Sequence, residues 1–179
     1  MVCSSTYTIA VNWQKPRPGW FKCNIGAGFH KEINKTSTGW CLRDHMGRFV
    51  SSDTTWMDGS CTILEGESIA LLEALKTLTH RGISHVIFET DSKSVVDSID
   101  HLYGGSSEFS SLICRINNIL LCNQNFMVKF IRRQANNVAH TLAKAVLSWS
   151  RRCASMLKSV SESEANDFHR VENVPDSTV

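Results

Sequence analysis

The chain has 179 residues, of which 42% are hydrophobic and 20% charged, a composition typical of one globular domain with residues to spare at its ends. No apolar run approaches the roughly 20 residues that a membrane helix needs, and the first ten residues lack the pattern of a signal peptide. We therefore expect a protein that is not secreted and resides in the nucleus or the cytoplasm. The net charge is only +2, so any binding of nucleic acid must come from a local basic patch.

The chain divides into three predicted regions. Residues 1–19 end in the sequence KPRPG, whose two prolines favour an extended lead-in rather than a helix or a central strand. The predicted folded domain spans residues 20–150, where the periodic apolar patterns lie. Residues 151–179 are expected to hold the end of the last helix and a disordered tail, because their final stretch is rich in Ser, Glu, Asp and Asn.

The domain is predicted to begin with three antiparallel strands. Alternating apolar residues over Phe21–Phe29 indicate the first strand. Two further strands, Thr38–Arg43 and Arg48–Thr55, flank a turn with Asp44 at its first position and Gly47 at its fourth. Short connections of this kind predict a meander.

A helix and a buried strand follow the meander. Thr62 and Glu65 have the spacing of a capping box, and apolar residues then recur at helical spacing, which predicts a helix over about Ile63–Arg81 that ends at Gly82. The apolar run His85–Thr90 is short and rich in β-forming residues. It is predicted to be a strand that the helix joins to a parallel neighbour.

The rest of the domain adds helices and one more strand. The predicted elements are helices over Ser92–His101 and Phe109–Cys122, a strand over Phe126–Ile131 and a last helix from about Asn137. The side chains predicted to face inward on that last helix are Val138, Leu142, Ala145, Val146 and Trp149. This order predicts an α/β domain whose mixed five-stranded sheet has three antiparallel strands, then two parallel ones, with flanking helices.

Two acidic residues are predicted to meet at one edge of this sheet. Glu67 lies one turn into the first helix, and Asp91 directly follows the strand to which that helix leads. Paired carboxylates are hard oxygen ligands of the kind that magnesium prefers, and two such ions can support cleavage of a phosphodiester. The alternative is that Asp91 only caps a helix and Glu67 only complements a helix dipole. The residues alone leave both interpretations open.

Several blocks of the sequence together resemble a known family. The order of elements, with GESIALLEALK and FETDSKSVVDSI carrying the two acids, resembles the ribonuclease H fold. More narrowly, the chain from about Trp13 to Trp149 resembles plant ribonuclease-H-like domains related to the reverse transcriptases of non-LTR retroelements. The blocks that carry this narrower resemblance are the lead-in with Trp13, Pro16, Pro18 and Gly19, then FKCNIGA, GWCLRDHMGRFV and VKFIRRQANNVAHTLA.

The resemblance implies an activity and a set of metal ligands. In this family, four acids hold two magnesium ions that cleave the RNA strand of an RNA/DNA hybrid. Glu67 and Asp91 match the second and third acids, whereas the first falls at Gly26 and the fourth at His140. The resemblance thus implies Glu67, Asp91 and His140 as catalytic residues, with Glu67 and Asp91 as magnesium ligands.

Loss of the first acid is expected to weaken this site. That carboxylate would bridge both ions, and without it the mutual repulsion of Glu67 and Asp91 is less compensated. His140 could bind a softer transition metal, since imidazole suits zinc, copper or iron better than magnesium. Alternatively, it could be an ordinary hydrogen-bonded histidine. We therefore predict weak or absent endoribonuclease activity.

A group of basic and amide side chains near the start of the last helix is a candidate contact for nucleic acid. Such groups suit phosphates and ribose hydroxyls, and the helix start adds backbone donors. The group consists of Lys129, Arg132, Arg133, Gln134, Asn136 and Asn137, of which Arg132, Arg133 and Asn136 are the candidate contacts, together with Asn24 of the first predicted strand. Because residues 20–150 carry a net charge of only +1, binding is expected to be weak and readily lost in salt. The alternative is a non-catalytic module that binds nucleic acid or protein on the same scaffold.

Overall fold

The computed structural model describes residues 12–101 and 107–145. All of them belong to one compact unit. The predicted tail over 151–179, most of the predicted lead-in, and the last two residues predicted to face inward lie outside this description. Within the described residues, no helix is long and apolar enough to cross a membrane.

Three antiparallel strands form the first half of the sheet, as the sequence predicts. They are β1 (Phe21–His30), β2 (Lys35–Arg43) and β3 (Phe49–Asp58). In the turn between β2 and β3, the side chain of Asp44 accepts two backbone hydrogen bonds of 2.9 Å each. Gly47 has a φ of +82° in the same turn, a conformation that favours glycine.

Two parallel strands complete the sheet. They are β4 (Val86–Thr90) and β5 (Phe126–Phe130), and the strand order is β3-β2-β1-β4-β5. Since β4 runs parallel to both β1 and β5, the predicted mixed five-stranded sheet is confirmed. Asn24 of β1 lies beside Glu89 of β4 in this register, so the middle of β1 adjoins the carboxyl end of β4.

Helices flank the sheet, and the first of them begins as its sequence predicts. Thr62 accepts a 3.2 Å hydrogen bond from the backbone N–H of Glu65, whose carboxylate accepts one of 2.8 Å from the backbone of Thr62, a complete capping box. The helices are α1 (Ile63–His80), α2 (Lys93–Asp100), α3 (Glu108–Cys122) and α4, described over 137–145, with single 3-10 turns at Lys31–Ile33 and Arg133–Asn136.

The hydrophobic core lies between α1 and one face of the sheet. Leu71, Leu75 and Leu78 of α1 are fully buried and share a cluster with Ile25 of β1 and Phe88 of β4. Burying a leucine side chain contributes roughly 1.5–3 kcal/mol. The predicted helical spacing of leucines is therefore confirmed as the face that holds α1 on the sheet.

The last helix, α4, covers the opposite face of β1 and β2. A Cβ atom at Gly39 would stand 2.6 Å from the backbone nitrogen of Ala143, and one at Gly28 would stand 3.3 Å from the carbonyl oxygen of Ala143. Ser37 donates a 2.6 Å hydrogen bond to that same oxygen. The helix thus approaches the strands so closely that glycine is needed beneath it.

The buried face of α4 differs from the predicted one. The sequence pattern predicts that five apolar side chains face inward, but the three of them that the structure describes are only half-buried: Val138, Leu142 and Ala145. The buried residues are instead Ala139, His140 and Ala143. Apolar periodicity alone predicts the wrong face here, because the close approach of α4 to the glycines of the sheet requires small side chains on the buried face.

We expect Gly39→Ala to lower the free energy of unfolding by about 2 kcal/mol, as overpacking does elsewhere. The added methyl group would meet the backbone of α4, which cannot rotate aside. Gly66→Ala is the matched control, since its Cβ would stand 2.6 Å from the ring of Phe29, a side chain that can turn away. Alanine also favours a helix over glycine by roughly 1 kcal/mol. Urea unfolding compares the variants, and equal losses would contradict the close packing of α4.

The described part of the lead-in packs against the sheet. Pro16 is buried. The guanidinium of Arg43 lies 3.9 Å from the centroid of the Trp13 ring, and that of Arg17 lies 4.0 Å from the centroid of the Trp20 ring. The contact with Arg43 attaches the lead-in to the end of β2, whereas the contact of Arg17 with Trp20 lies within the segment that precedes β1.

Candidate active site

Three side chains converge beside the middle of β1. Glu67 is the fifth residue of α1, Asp91 follows the last residue of β4, and His140 lies on α4. One candidate ligand atom from each residue lies within 4.8 Å of the other two. The structure thus brings together the three residues predicted to be catalytic, each from a different element.

Asp91 makes the most hydrogen bonds of the three. Its Oδ1 accepts a 2.8 Å bond from Nδ2 of Asn136 and lies 2.9 Å from Nε2 of His140. Its Oδ2 accepts a 3.3 Å bond from Arg133. Burial raises the pKa of this carboxyl, but the hydrogen bonds from His140 and Asn136 lower it, and their effect together with the other interactions outweighs that of burial. The pKa of Asp91 therefore lies below its ordinary value. Asp91 is therefore ionised at neutral pH.

Glu67 is less well satisfied. It is only 6% exposed, and its Oε1 accepts a long bond of 3.4 Å from the backbone N–H of Ala27. Its Oε2 is buried, and no residue that the structure describes bonds to it. Burial, reinforced by the negative charge of Asp91, raises the pKa of Glu67 to about 7. Ionised Glu67 therefore needs a cation beyond those that its present contacts provide.

The raised pKa of Glu67 makes the stability of the domain depend on pH. The unfolded chain loses this proton near the ordinary pKa of 4.5, whereas the folded chain keeps it until about 7. The natural chain should therefore lose up to about 3 kcal/mol of stability relative to Glu67→Gln as the pH rises through this window. Urea unfolding of both proteins in the presence of a chelator measures the difference. Stability curves that stay parallel would show that the pKa of Glu67 is not raised.

His140 lies against the space that a side chain at position 26 would need. A Cβ atom at Gly26 would stand 3.1 Å from Nδ1 and 3.3 Å from Cε1 of His140. Nδ1 is buried and has no hydrogen-bond partner among residues 12–101 and 107–145. Because glycine has no side chain, position 26 supplies no carboxylate on β1 and also leaves room for the imidazole of His140.

A buried polar network supports this site from β1 and β4. Asn24 donates through Nδ2 to Oε2 of Glu89 and to Oδ1 of Asn136, each at 3.2 Å. Asn136 also donates a 2.7 Å bond to the carbonyl oxygen of Ile25. Glu89 in turn forms a 2.6 Å ion pair with Lys22. The network therefore fixes the residue that orients Asp91.

This network corrects the predicted role of two residues. The sequence suggests that Asn24 and Asn136 contact nucleic acid, but both are fully buried and bonded within the protein. The sequence analysis does not predict that their neighbours Lys22, Arg43 and Glu89 belong to the site. A signal was available, because the charged side chains interrupt otherwise apolar strands at positions facing one side of the sheet.

Two arginines border the cluster on its solvent side. Arg132 and Arg133 are both exposed, and the side chain of Arg133 keeps 68% of its surface accessible while it pairs with Asp91. An exposed guanidinium can leave a 3.3 Å ion pair at little cost, since such pairs contribute roughly 0–1 kcal/mol. Contact between these arginines and nucleic acid stays a prediction.

The fold and the cluster define a class of protein. A mixed sheet of three antiparallel and two parallel strands, with acids meeting beside β1 and β4, is the arrangement of a ribonuclease H-like domain. A family model described as reverse transcriptase-like matches residues 24–146. The chain belongs to that family.

Solved structures share this fold. RNase H1 from the halophilic archaeon Halobacterium salinarum is similar with a TM-score of 0.65 and 19% identity, over 73% of this chain and 98% of that one. LC11-RNase H1, isolated from compost and bound to an RNA/DNA hybrid, gives 0.60 and 20%, over 68% and 92%. Foamy viral protease-reverse transcriptase in complex with dsDNA gives 0.54 and 20%, over 70% and 90%. At these identities the likeness shows the fold alone. A search of curated proteins finds no match.

The donors present here do not fit a pair of magnesium ions. Ribonucleases H depend on metal, and a bound ion activates water and polarises a phosphate oxygen. The buried, unpartnered Oε2 of Glu67 and the carboxylate of Asp91 fit one cation. A second ion would lack the oxygen ligand absent at Gly26, and the remaining donor, His140, offers nitrogen.

Proposed function

We propose that this domain binds RNA/DNA hybrids, or a related nucleic acid, and hydrolyses the RNA strand slowly or not at all. The observation that carries the proposal is that position 26 of β1 holds glycine instead of a carboxylate, with the imidazole of His140 3.1 Å from where a Cβ atom would stand. Glu67 and Asp91 stay together beside it, which supports descent from a hybrid-cleaving nuclease. Magnesium is the ion proposed for this residual activity, held weakly. The proposed location is intracellular, nuclear or cytoplasmic.

The proposed contact surface is the exposed basic segment beside Asp91. Lys129, Arg132 and Arg133 place three exposed cations within five residues. Guanidinium and ammonium groups bind phosphates without regard to base sequence. Because the cations are few, the predicted affinity is modest and falls steeply with salt.

Fluorescence anisotropy with a labelled RNA/DNA hybrid tests the binding. We expect Arg132→Ala and Arg133→Ala each to weaken binding and to reduce the slope of log affinity against log salt by about one. Lys76→Ala removes the same charge from an exposed position on α1 and should leave both quantities unchanged. If no binding is seen at about 50 mM salt, or if Lys76→Ala weakens it equally, this surface is not the contact.

Hybrid cleavage separates weak catalysis from a purely non-catalytic module. Slow cleavage in magnesium that Asp91→Asn abolishes would establish residual activity at this site. Binding without cleavage would leave the domain as a nucleic-acid-binding module on the same scaffold. If the chain neither binds nor cleaves the hybrid, the result would favour the other alternative, a protein interaction module. Vigorous cleavage by the natural chain would refute the proposal.

A further inference from the structure

Two hydrogen-bond donors at the end of β2 are buried without an acceptor. They are Nε1 of Trp13 and Nε of Arg43, and no residue that the structure describes bonds to either. The two side chains are stacked, with the guanidinium of Arg43 3.9 Å from the centroid of the indole ring. Buried polar atoms are nearly always paired, and an indole N–H and a guanidinium N–H can only donate. The partner that both nitrogens lack must therefore be an acceptor.

The charges at this end of the sheet leave Arg43 uncompensated. Arg43 lies opposite Lys22 in the pairing of β1 with β2, and both residues are half-buried. Lys22 forms an ion pair of 2.6 Å with Glu89, whereas Arg43 donates to the neutral amide oxygen of Asn24, at 2.7 Å. Among the described residues, no carboxylate lies within ion-pair distance of Arg43. Since charges removed from water are normally paired, Arg43 calls for an anion.

The groups that surround Arg43 do not supply that anion. The carboxylate of Asp44 accepts bonds within its own turn and pairs with Arg48 at 2.8 Å. Burial raises the pKa of the Cys41 thiol more than Arg43 lowers it, so the thiol stays protonated at neutral pH and brings no charge. The face of the Trp13 ring stabilises the guanidinium but carries no net charge.

We propose that Trp13, Lys22 and Arg43 form a binding site for one phosphate group, either free or within a nucleic acid. A phosphate offers several charged oxygens, so one group can accept bonds from both the indole and the guanidinium nitrogens. Lys22 adds positive charge, since its Nζ lies 5.7 Å from the centroid of the same indole ring. A single water molecule can accept both bonds as well, but it would leave the charge of Arg43 uncompensated.

This phosphate site is separate from the acidic cluster. Gly26, beside the cluster, lies four residues along β1 from Lys22, a distance of roughly 13 Å along an extended strand. Trp13 belongs to the lead-in and is half-buried, so its side chain can shift and admit an anion without moving a strand. The inference therefore goes beyond the proposed function and uses none of the residues on which that function depends.

Nitrogen-15 spectra of the full chain titrated with inorganic phosphate test the site, with chloride at equal ionic strength as the control. We expect the indole N–H resonance of Trp13, assigned from its loss in Trp13→Phe, to move and saturate with a dissociation constant on the order of 1 mM. The resonance of Trp56 should stay in place, because the lysine over its ring, Lys35, is already paired with Asp58. A Trp13 resonance that does not move, as a bound water predicts, or that moves equally in chloride would overturn the inference.

Calorimetry with inorganic phosphate compares the affinities of variants. Arg43→Lys keeps the charge but removes Nε–H, and we expect phosphate affinity to fall at least about tenfold. Arg48→Lys, at a side chain that is 74% exposed, is the matched control and should leave the affinity unchanged. Trp13→Phe keeps an aromatic ring over Arg43 but removes its N–H, so its expected loss of about tenfold keeps the test readable if Arg43→Lys does not fold. Affinities equal to that of the natural chain in both site variants would overturn the inference.

A titration with an RNA/DNA hybrid identifies the source of the phosphate. If the hybrid moves the Trp13 resonance as inorganic phosphate does, the group that binds belongs to a nucleic-acid backbone. If only inorganic phosphate moves it, the ligand is a small phosphate compound. Failure of the hybrid to bind through Arg132 and Arg133 would refute the proposed function and leave the result with inorganic phosphate interpretable.

Discussion

The double variant Gly26→Asp, His140→Asp is expected to cleave the RNA strand of an RNA/DNA hybrid in magnesium at least about a hundredfold faster than the natural chain. Charge stabilisation by correctly held metal ions contributes several kcal/mol to such reactions, and each 1.4 kcal/mol is about a factor of ten in rate. The two substitutions supply carboxylates where the family resemblance implies the first and fourth acids. Glu67 and Asp91 already lie beside both positions.

The single variant Gly26→Asp should gain much less. Its Cβ would stand 3.1 Å from Nδ1 of His140, so the imidazole must shift to admit the new side chain. The new carboxylate would then compete with Asp91 for the imidazole. Changing position 140 as well removes this crowding, and for that reason the two positions have to be exchanged together.

Cleavage is measured with a labelled hybrid, and circular dichroism confirms that each variant is folded. Adding Asp91→Asn to the double variant should abolish the gain, because it removes a required metal ligand. The variant with serine at both positions, Gly26→Ser and His140→Ser, is the control: it changes the packing at these positions without adding charge. A folded double variant that cleaves no faster than the natural chain would mean that the missing acids are not what limits activity.

The order of elements could be predicted because each strand and helix carries a local signal. The capping box at Thr62, the leucine spacing of α1 and the turn at Gly47 all depend on neighbours in sequence. The face of α4 that is buried depends instead on how closely that helix approaches Gly39 across the sheet. The sequence of α4 contains no signal for that distance. Periodicity therefore predicts that Val138 faces inward, whereas the structure buries Ala139.

The site was predictable in part. Topology alone indicates that Glu67 and Asp91 meet, because Glu67 lies one turn into the crossover helix and Asp91 directly follows the strand to which that helix leads. That His140 joins these two acids is predicted only by the family resemblance. The burial of Asn24 and Asn136 could not be anticipated, since an amide that binds a phosphate and one that bonds to a buried carboxylate look the same in sequence. The plant origin that the resemblance implies stays a prediction.

The polar residues behind the site form a continuous path from the sheet to Asp91. Lys22 pairs with Glu89, Glu89 accepts from Asn24, and Asn24 donates to Asn136, which donates to Asp91. Each side chain is the ion-pair or hydrogen-bond partner of the next. Removal of a single charge or amide at the centre would therefore leave a buried group without its partner. Removing one charge should therefore affect both stability and the orientation of Asp91.

We expect Lys22→Met to lower the free energy of unfolding by roughly 3–5 kcal/mol, the usual cost of leaving one partner of a buried ion pair alone. The side chains of Lys22 and Glu89 are only 12% and 4% exposed, and their charged atoms lie 2.6 Å apart. Within the described part of the chain, Glu89 would keep only its 3.2 Å bond from Asn24, which does not neutralise its charge. Urea unfolding at neutral pH measures the loss.

Removing both charges should restore most of that stability. Lys22→Met combined with Glu89→Gln leaves no unpaired charge and keeps an oxygen for Asn24, so we expect a loss of about 1 kcal/mol or less. Lys76→Met breaks an ion pair with Glu73 in which both side chains are 42% exposed, and it should cost less than about 1 kcal/mol. If Lys22→Met costs no more than Lys76→Met, then Glu89 reaches water or another cation, and the network does not hold Asn136 and Asp91 in the way described.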